Sequence, residues 1–332
     1  TRSMANYSFY LGATNQNIRE LVKVNPADVC GVKVFMGSST GNMLVDDLDT
    51  LNRIFAEVPT LIATHCEDEP TIQKNLSYYK NIYGDNIGCE FHPFIRSEEA
   101  CYKSSSFAVE MAVKYGTRLH VLHLSTAREM SLFSNSAPVR DKKITAEACV
   151  HHLWFSSDDY ARYGSRIKWN PAIKTENDRL ALIEAVNSGK IDVVATDHAP
   201  HLIEEKSNNC YKSYSGGPLV QHSLVAMLQL AKQGYFTVEK VVEKMCHAPA
   251  ELFRIHKRGY IRPDYYADLV LVNPNSPQLV TTDNILYKCG WSPFEGTTFD
   301  AAVVTTFVNG KKVYDKGEVN DEVRGKRLTF EV

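Results

Sequence analysis

Residues 193–201 combine an apolar run with side chains that can bind a metal ion or transfer a proton. The run ends at Ala195, and Asp197, His198 and His201 follow it. In chains of alternating strands and helices, catalytic groups come from the carboxyl ends of the strands. A carboxylate beside imidazoles at such an end predicts a metal-dependent site with a proton-transfer group. The alternative is a turn in which Asp197 caps a helix and the histidines are solvated.

Three further candidate ligands end separate apolar runs. Lys33 stands in Val-Cys-Gly-Val-Lys-Val-Phe-Met, where a charged amine must shift its pKa, find a partner or be chemically modified. Otherwise it extends out of the strand end into solvent. His65 and His123 end two later runs. A lone histidine on an apolar strand is more often a core residue, but four such ends in chain order, Asp197 included, predict one shared site.

Six apolar, β-branched runs alternate with amphipathic stretches and predict the elements that position these residues. The predicted strands are 7–12, 29–36, 61–66, 119–125, 144–155 and 191–197. The predicted helices are 16–24, 46–57, 104–115, 127–133, 176–188, 222–234 and 238–247. Near-continuous apolar strands separated by helices indicate a parallel sheet covered by helices, the α/β class.

The last part of the chain changes character. Strands are predicted at 267–273 and 302–308, and Asn309-Gly310 predicts a hairpin turn into a further strand at 312–314. We therefore predict a (β/α) barrel over 1–255 and part of a small β-sandwich module over 256–332. Six units do not close an eight-stranded TIM-type (β/α)8 barrel. Either the sheet is open, or two units precede residue 1, which we favour because the chain does not begin with methionine.

Composition excludes several classes of protein. The 332 residues include 37 basic and 39 acidic side chains, so bulk charge favours neither nucleic acid nor a membrane surface as partner. No apolar stretch approaches the roughly 18 residues of a membrane span, and no secretory signal is evident. None of the eight cysteines forms a C-x-x-C pair, which argues against a structural zinc knuckle. Reduced thiols and a cytoplasmic location are the expectation.

The ordered set of strand ends resembles the cyclic amidohydrolases, and among them the dihydroorotases, over nearly the whole chain. The resemblance implies two zinc ions in a complete subunit, bridged by a carbamylated Lys33 and a hydroxide. It implies that His65 and His123 bind one ion, and that Asp197 binds the other and shuttles the proton. The implied reaction is reversible ring opening of dihydroorotate, a small-molecule substrate, to N-carbamoyl-L-aspartate in pyrimidine biosynthesis. The resemblance also suggests a homodimer.

The same resemblance implies three substrate-binding residues. They are Asn170 in Lys-Trp-Asn-Pro-Ala-Ile-Lys, His201 at the end of Asp-His-Ala-Pro-His, and Gly216 in Ser-Tyr-Ser-Gly-Gly-Pro. Gly216 permits close approach of a ring, or is simply a flexible turn. Dihydropyrimidinases and allantoinases share the chemistry, and His201 is the residue that favours a carboxylate-bearing substrate. A further hypothesis gives Ser39 or Thr40 a hydrogen bond to the bound ligand, the alternative being a solvated turn.

One departure from the family pattern limits the prediction. The family's first barrel strand ends in His-x-His followed by an arginine that grips the substrate, and this sequence contains no His-x-His. We expect that region to precede residue 1, so residues 1–332 alone should bind fewer than two metal ions and show little activity. Some dihydroorotase-like chains are inactive scaffolds that have lost metal ligands. Retention of all four candidate ligands favours an enzyme.

An acidic run, Glu67-Asp68-Glu69, follows His65. One interpretation is that a carboxylate of this run orients the second ring nitrogen of His65. The other is a solvated helix start, where carboxylates favour the helix N-terminus. The second is the commoner situation, and no catalytic role is assigned to the run.

Overall fold

A parallel sheet follows chain order from its first strand to its last. The computed structural model describes residues 2–37, 43–207 and 209–331, so Ser39 and Thr40 lie outside the described residues. The strands are β1 (Tyr10–Gly12), β2 (Gly31–Phe35), β3 (Ile62–His65), β4 (Leu119–Val121), β5 (Ile144–Cys149) and β6 (Val193–Ala195). Each pairs with its neighbour in sequence, and the register sets Gly12 beside Lys33 and Phe35 beside His65. All six predicted strands are present, and their carboxyl ends share one edge.

Helices connect the strands and cover the sheet. They are α1 (Ile18–Leu21), α2 (Leu48–Glu57), α3 (Glu69–Tyr83), α4 (His92–Ile95), α5 (Glu98–Tyr115), α6 (Val150–Trp154), α7 (Tyr160–Tyr163), α8 (Glu176–Ser188), α9 (Ile203–Lys206), α10 (Ser223–Lys232), α11 (Val238–Val242) and α12 (Ala248–Leu252). Capping explains several of the boundaries. Thr175 and Asp178 form a capping box at the start of α8, and Gly116 in the left-handed conformation ends α5.

Several elements differ from the prediction. The predicted helix at 127–133 is a 3-10 helix over Arg128–Leu132, and the short helices α4, α7, α9 and α12 were not predicted. Helix α3 was not predicted, because Ile72 is its one buried residue and so it has almost no apolar periodicity. Asp68 accepts a hydrogen bond from the Thr71 N–H and starts that helix. The run 144–155, predicted as one strand, divides into β5 and α6. Most of its apolar residues are buried, so periodicity could not separate a buried strand from a buried helix.

The C-terminal strands form two small antiparallel sheets. They are β7 (Leu269–Asn273), β8 (Gln278–Leu279), β9 (Thr298–Phe299), β10 (Ala302–Val308), β11 (Lys311–Asp315) and β12 (Glu318–Val319). Four pair in the order β12-β11-β10-β7, while β8 pairs with β9. Asn309 and Gly310 have φ of 53° and 79° between β10 and β11, which confirms the predicted hairpin turn. The segment between β8 and β9 packs against the barrel, where the Trp291 indole N–H donates to the His201 carbonyl at 2.8 Å.

The expectation of uniformly reduced thiols is wrong for two cysteines. Cys89 and Cys210 form a disulfide across 121 residues, a pairing that sequence spacing could not show. The other six cysteines are free thiols. In the described part of the chain, no helix is both long enough and apolar enough to span a membrane.

Candidate metal centre

The ends of β3 and β4 bring two histidines into contact. His65 ends β3, and its Nδ1 lies 3.1 Å from Nε2 of His123. His123 follows β4 with φ of 38°, so the side-chain alternation of the strand does not fix its direction. His120, within β4, instead turns to β5, where Nδ1 contacts the Thr145 hydroxyl at 3.0 Å. The structure therefore unites His65 with His123 and separates both from His120.

The paired imidazoles fit a shared metal ion. Two nitrogen ligands about 2.0–2.1 Å from a tetrahedral zinc ion lie about 3.3 Å apart, close to the separation of His65 Nδ1 and His123 Nε2. Burial lowers the pKa of both histidines, which favours the neutral, ligating form. The buried Nδ1 of His123 has no hydrogen-bond partner among the described residues. These features suit a cation between the rings.

The usual metal-binding side chains, His, Cys, Asp and Glu, do not by themselves complete a metal site here. Among residues 2–37, 43–207 and 209–331, no three His, Cys, Asp or Glu side chains converge as a metal-binding group. Lys33 is the additional candidate, since its buried Nζ lies 4.5 Å from the centre of the Phe35 ring. A lysine becomes an anionic oxygen ligand only after carbamylation, and that modification of Lys33 stays a prediction.

Lys33 and Asp197 lie near each other in poorly solvated space. Burial lowers the pKa of Lys33 to about 8, and the negative charges of Asp197 and Glu147 oppose that shift. Asp197, just beyond β6, is accessible to solvent, yet protein surrounds it on most sides. Burial raises the pKa of Asp197 to about 6, Glu147 adds to the rise and Lys33 opposes it. A carboxylate with such a pKa can exchange a proton near neutral pH.

Glu147 is a residue of this site that the sequence analysis missed. It lies on β5, and its Oε2 is 3.1 Å from Nε2 of His120. Its Oε1 accepts a hydrogen bond from the His123 backbone N–H at 3.3 Å. The available signal was an ionisable residue inside an apolar strand, the same signal that identified Lys33. Glu147 supplies negative charge between the histidine end and the Asp197 end of the sheet.

The predicted substrate residues cluster beyond the strand ends. Nδ1 of His201 lies 3.2 Å from Glu205 Oε2, and its ring stacks on Tyr214. The Gly216 N–H donates to the Lys168 carbonyl at 2.8 Å, which ties the Gly216 turn to the segment of Asn170. The Asn170 Oδ1 is buried and has no hydrogen-bond partner among the described residues. The structure thus brings His201 and Gly216 together and leaves one Asn170 acceptor available.

Gly216 is held by close packing at a positive φ of 115°. A Cβ added there would lie 2.6 Å from Ala199 Cβ and 3.3 Å from Cδ2 of the His201 ring. This geometry supports close approach of the backbone and contradicts a loose turn. Gly234 offers a comparison, because it also has positive φ but nothing lies within 4 Å of an added Cβ.

We expect Gly216→Ala to lower the free energy of unfolding by roughly 2–4 kcal/mol, from backbone strain and overpacking together. Gly234→Ala should lower it by only about 1–2 kcal/mol, since strain alone applies there. Urea titrations of both variants measure the difference. Equal losses would mean that the contacts with Ala199 and His201 do not constrain Gly216.

Comparisons with known proteins agree with this architecture. The sequence profile of the amidohydrolase family matches residues 50–313. The dihydroorotase of Methanosarcina mazei is 30% identical over 330 residues, covering 96% of this chain and 71% of the relative. The dihydroorotase of Methanosphaera stadtmanae is 27% identical over 320 residues, covering 96% and 72%.

A solved structure gives the same fold. The L-hydantoinase (dihydropyrimidinase) from Arthrobacter aurescens superposes with a TM-score of 0.90 at 27% identity, covering 99% of this chain and 74% of that one. The likeness confirms the predicted TIM-type (β/α) barrel with a small β module. The family match and the dihydroorotase relatives confirm the resemblance to the amidohydrolases.

Proposed function

The chain belongs to the amidohydrolase family, and from this premise we propose that it is a dihydroorotase. The main support for a hydrolase activity is the pair of imidazoles at the ends of β3 and β4, beside Lys33 and Asp197. The dihydroorotase relatives support the substrate, which is dihydroorotate in one direction and N-carbamoyl-L-aspartate in the other. The proposal makes the chain a cytoplasmic enzyme that acts on a small molecule.

His65, His123, Asp197 and a carbamylated Lys33 would hold the metal ions of this enzyme, with zinc the cation proposed. Bound divalent cations supply Lewis acidity, which polarises the amide carbonyl and acidifies water. Residues 1–332 on their own are proposed to hold fewer than two ions per chain. The neutral, buried imidazoles suit this role, because a protonated histidine has no lone pair to offer.

Asp197 is the proton carrier in this mechanism. Its pKa of about 6 leaves the carboxylate mostly ionised at neutral pH and therefore able to take a proton from the attacking water. The same group then delivers that proton to the departing ring nitrogen as the amide C–N bond breaks. Glu147 keeps the Asp197 carboxyl basic enough for the first step, because its negative charge disfavours loss of the proton.

His201, Gly216 and Asn170 are proposed to bind the substrate. His201 places an imidazole next to the Gly216 turn, where it can donate a hydrogen bond to the free carboxylate of dihydroorotate. Gly216 offers a backbone without a side chain, and Asn170 offers a buried amide oxygen as acceptor. These contacts would distinguish a ring that carries a carboxylate from one that does not.

A dihydropyrimidinase-type activity is the second candidate. The observation that favours it is the fold similarity to the Arthrobacter aurescens hydantoinase over nearly the whole chain. A chain without activity, serving as a dihydroorotase-like scaffold, is the non-enzymatic alternative. The side chain of His201 separates the two enzymatic candidates, because dihydrouracil has no carboxylate for it to bind.

We expect His201→Asn to lower kcat/KM for dihydroorotate by roughly 10–100-fold, because one charge-assisted hydrogen bond to the substrate carboxylate is lost. The kcat/KM for dihydrouracil, if measurable, should change by less than about threefold. Steady-state assays of both substrates with the full product of the gene measure the ratio. An equal loss for both substrates would favour the dihydropyrimidinase candidate.

A further inference from the structure

Glu67 is a fully buried carboxylate in contact with a proposed metal ligand. It is 0% exposed, and its Oε2 lies 3.1 Å from Nε2 of His65. The guanidinium of Arg96 donates to the same Oε2. The three side chains form a row, Arg96–Glu67–His65, that leads to the candidate metal centre.

The backbone holds Glu67 closely in place. A Cβ on Gly37 would lie 1.9 Å from the Glu67 carbonyl oxygen, so only a glycine lets the end of β2 approach there. The next residue, Asp68, donates its N–H to the Ala100 carbonyl at 2.9 Å and caps α3. Glu67 is therefore fixed between a strand end and a helix start. The solvated helix start considered for this run describes Asp68 and Glu69, but not the buried Glu67.

The position of Glu67 sets which nitrogen of His65 faces His123. An ionised carboxylate only accepts hydrogen bonds, so it favours a proton on Nε2 of His65, the nitrogen that faces it. Nδ1 of His65 then carries its lone pair toward Nε2 of His123, where the metal ion would lie. With the proton on Nδ1 instead, His65 could not bind a metal ion from that side.

We propose that Glu67 is a positioning residue that fixes the metal-binding tautomer and orientation of His65, and that Arg96 holds the Glu67 carboxylate in place against His65. Burying a lone carboxylate is costly, and the adjacent guanidinium offsets that cost. The inference rests on the proposed metal site. It deepens the proposed function by assigning part of the metal affinity to residues that do not touch the metal.

A purely structural ion pair is the competing explanation, and the chain offers a matched control. Glu129 is also a buried glutamate, 2% exposed, but it accepts hydrogen bonds from the Ser105 and Thr126 hydroxyls. Replacing either glutamate with glutamine removes a buried carboxyl group. Only Glu67→Gln alters the partner of a proposed metal ligand.

The test measures zinc affinity of the purified, metal-stripped protein by competition with a chromophoric chelator. Glu67→Gln should weaken zinc binding 10–100-fold, the usual effect of removing the partner of a ligating histidine. Glu129→Gln should change it less than threefold, although either variant can lose stability. Equal zinc affinity in wild type and Glu67→Gln, or equal weakening in both variants, would overturn the proposal.

The tautomer of His65 gives a second test that needs no variant to fold. In ¹⁵N-histidine NMR spectra of the metal-free wild type, His65 should carry its proton on Nε2, and a proton on Nδ1 would overturn the proposal. Neither readout involves turnover, so zinc binding without dihydroorotate hydrolysis would refute the proposed function and leave this inference standing. No zinc binding by wild type would overturn the metal site and this inference together.

Discussion

Asp197→Asn should reduce dihydroorotate hydrolysis by roughly 10²–10⁴-fold, the range that general acid–base groups contribute. The amide has nearly the shape of the carboxyl group but cannot accept and return a proton near neutral pH. In wild type, the raised pKa of about 6 brings proton uptake into the working range. The loss should therefore appear mainly in kcat, because the substrate contacts of His201 and Gly216 are retained.

Asp192 is the matched control for this experiment, since it lies at the opposite end of β6. Its carboxylate is buried and binds Lys142 Nζ at 2.6 Å and the Ala146 N–H at 3.0 Å. Asp192→Asn should lower the free energy of unfolding, while kcat per folded molecule stays within a few-fold of wild type. If Asp197→Asn retained more than a tenth of wild-type kcat, Asp197 would not be the proton carrier.

Lys33→Met should abolish the dependence of metal binding on carbon dioxide. Carbamylation joins the neutral amine to CO₂ and releases a proton, so it needs Lys33 in its uncharged form. With a pKa of about 8, about a tenth of the Lys33 side chains are neutral at pH 7, against less than about one in a thousand for an ordinary lysine. Zinc uptake by wild type should therefore be greater with added bicarbonate than without it.

The pH dependence of that uptake follows from the same pKa. Because the pKa of Lys33 is lowered, its reactive neutral fraction grows as pH rises and levels off above about 8. At fixed dissolved CO₂, the rate of bicarbonate-stimulated zinc uptake should increase from pH 6 to about 8 and then flatten. Lys33→Met should show no bicarbonate effect at any pH. A wild-type protein that binds zinc equally well without CO₂ would contradict the role given to Lys33.

Much of the fold and part of the site could be predicted from the sequence. The six strands have apolar, β-branched residues with polar groups at their ends. The strands themselves were therefore predictable, and so was the edge of the sheet that their carboxyl ends share. His65, His123 and Asp197 follow from that argument, since each ends or closely follows a different strand. Lys33 lies in the middle of β2, and its charge within an apolar run is what identified it. Their actual roles in metal binding and proton transfer stay predictions.

What could not be predicted depends on contacts between distant segments. Glu67 differs from Asp68 and Glu69 only through burial against Arg96, which lies on the far side of α3 in sequence. The pairing of Cys89 with Cys210 likewise needs the folded chain. Glu147 was recognisable as an ionisable residue within an apolar strand. Its partner His120, however, is identified only by the register of β4 and β5. Local sequence patterns predict helices and strands. Contacts between distant segments determine which ionisable side chains are buried and which partners they have.

The most direct test of the proposed function is a comparison of kcat/KM for L-dihydroorotate, dihydrouracil and allantoin. It uses the full product of the gene, reconstituted with zinc and bicarbonate. We predict turnover of dihydroorotate at least 100-fold more efficient than that of either other ring. Equal or greater efficiency on dihydrouracil would assign the chain to the dihydropyrimidinase candidate. No turnover of any ring by zinc-loaded protein would contradict the enzymatic account and favour an inactive scaffold.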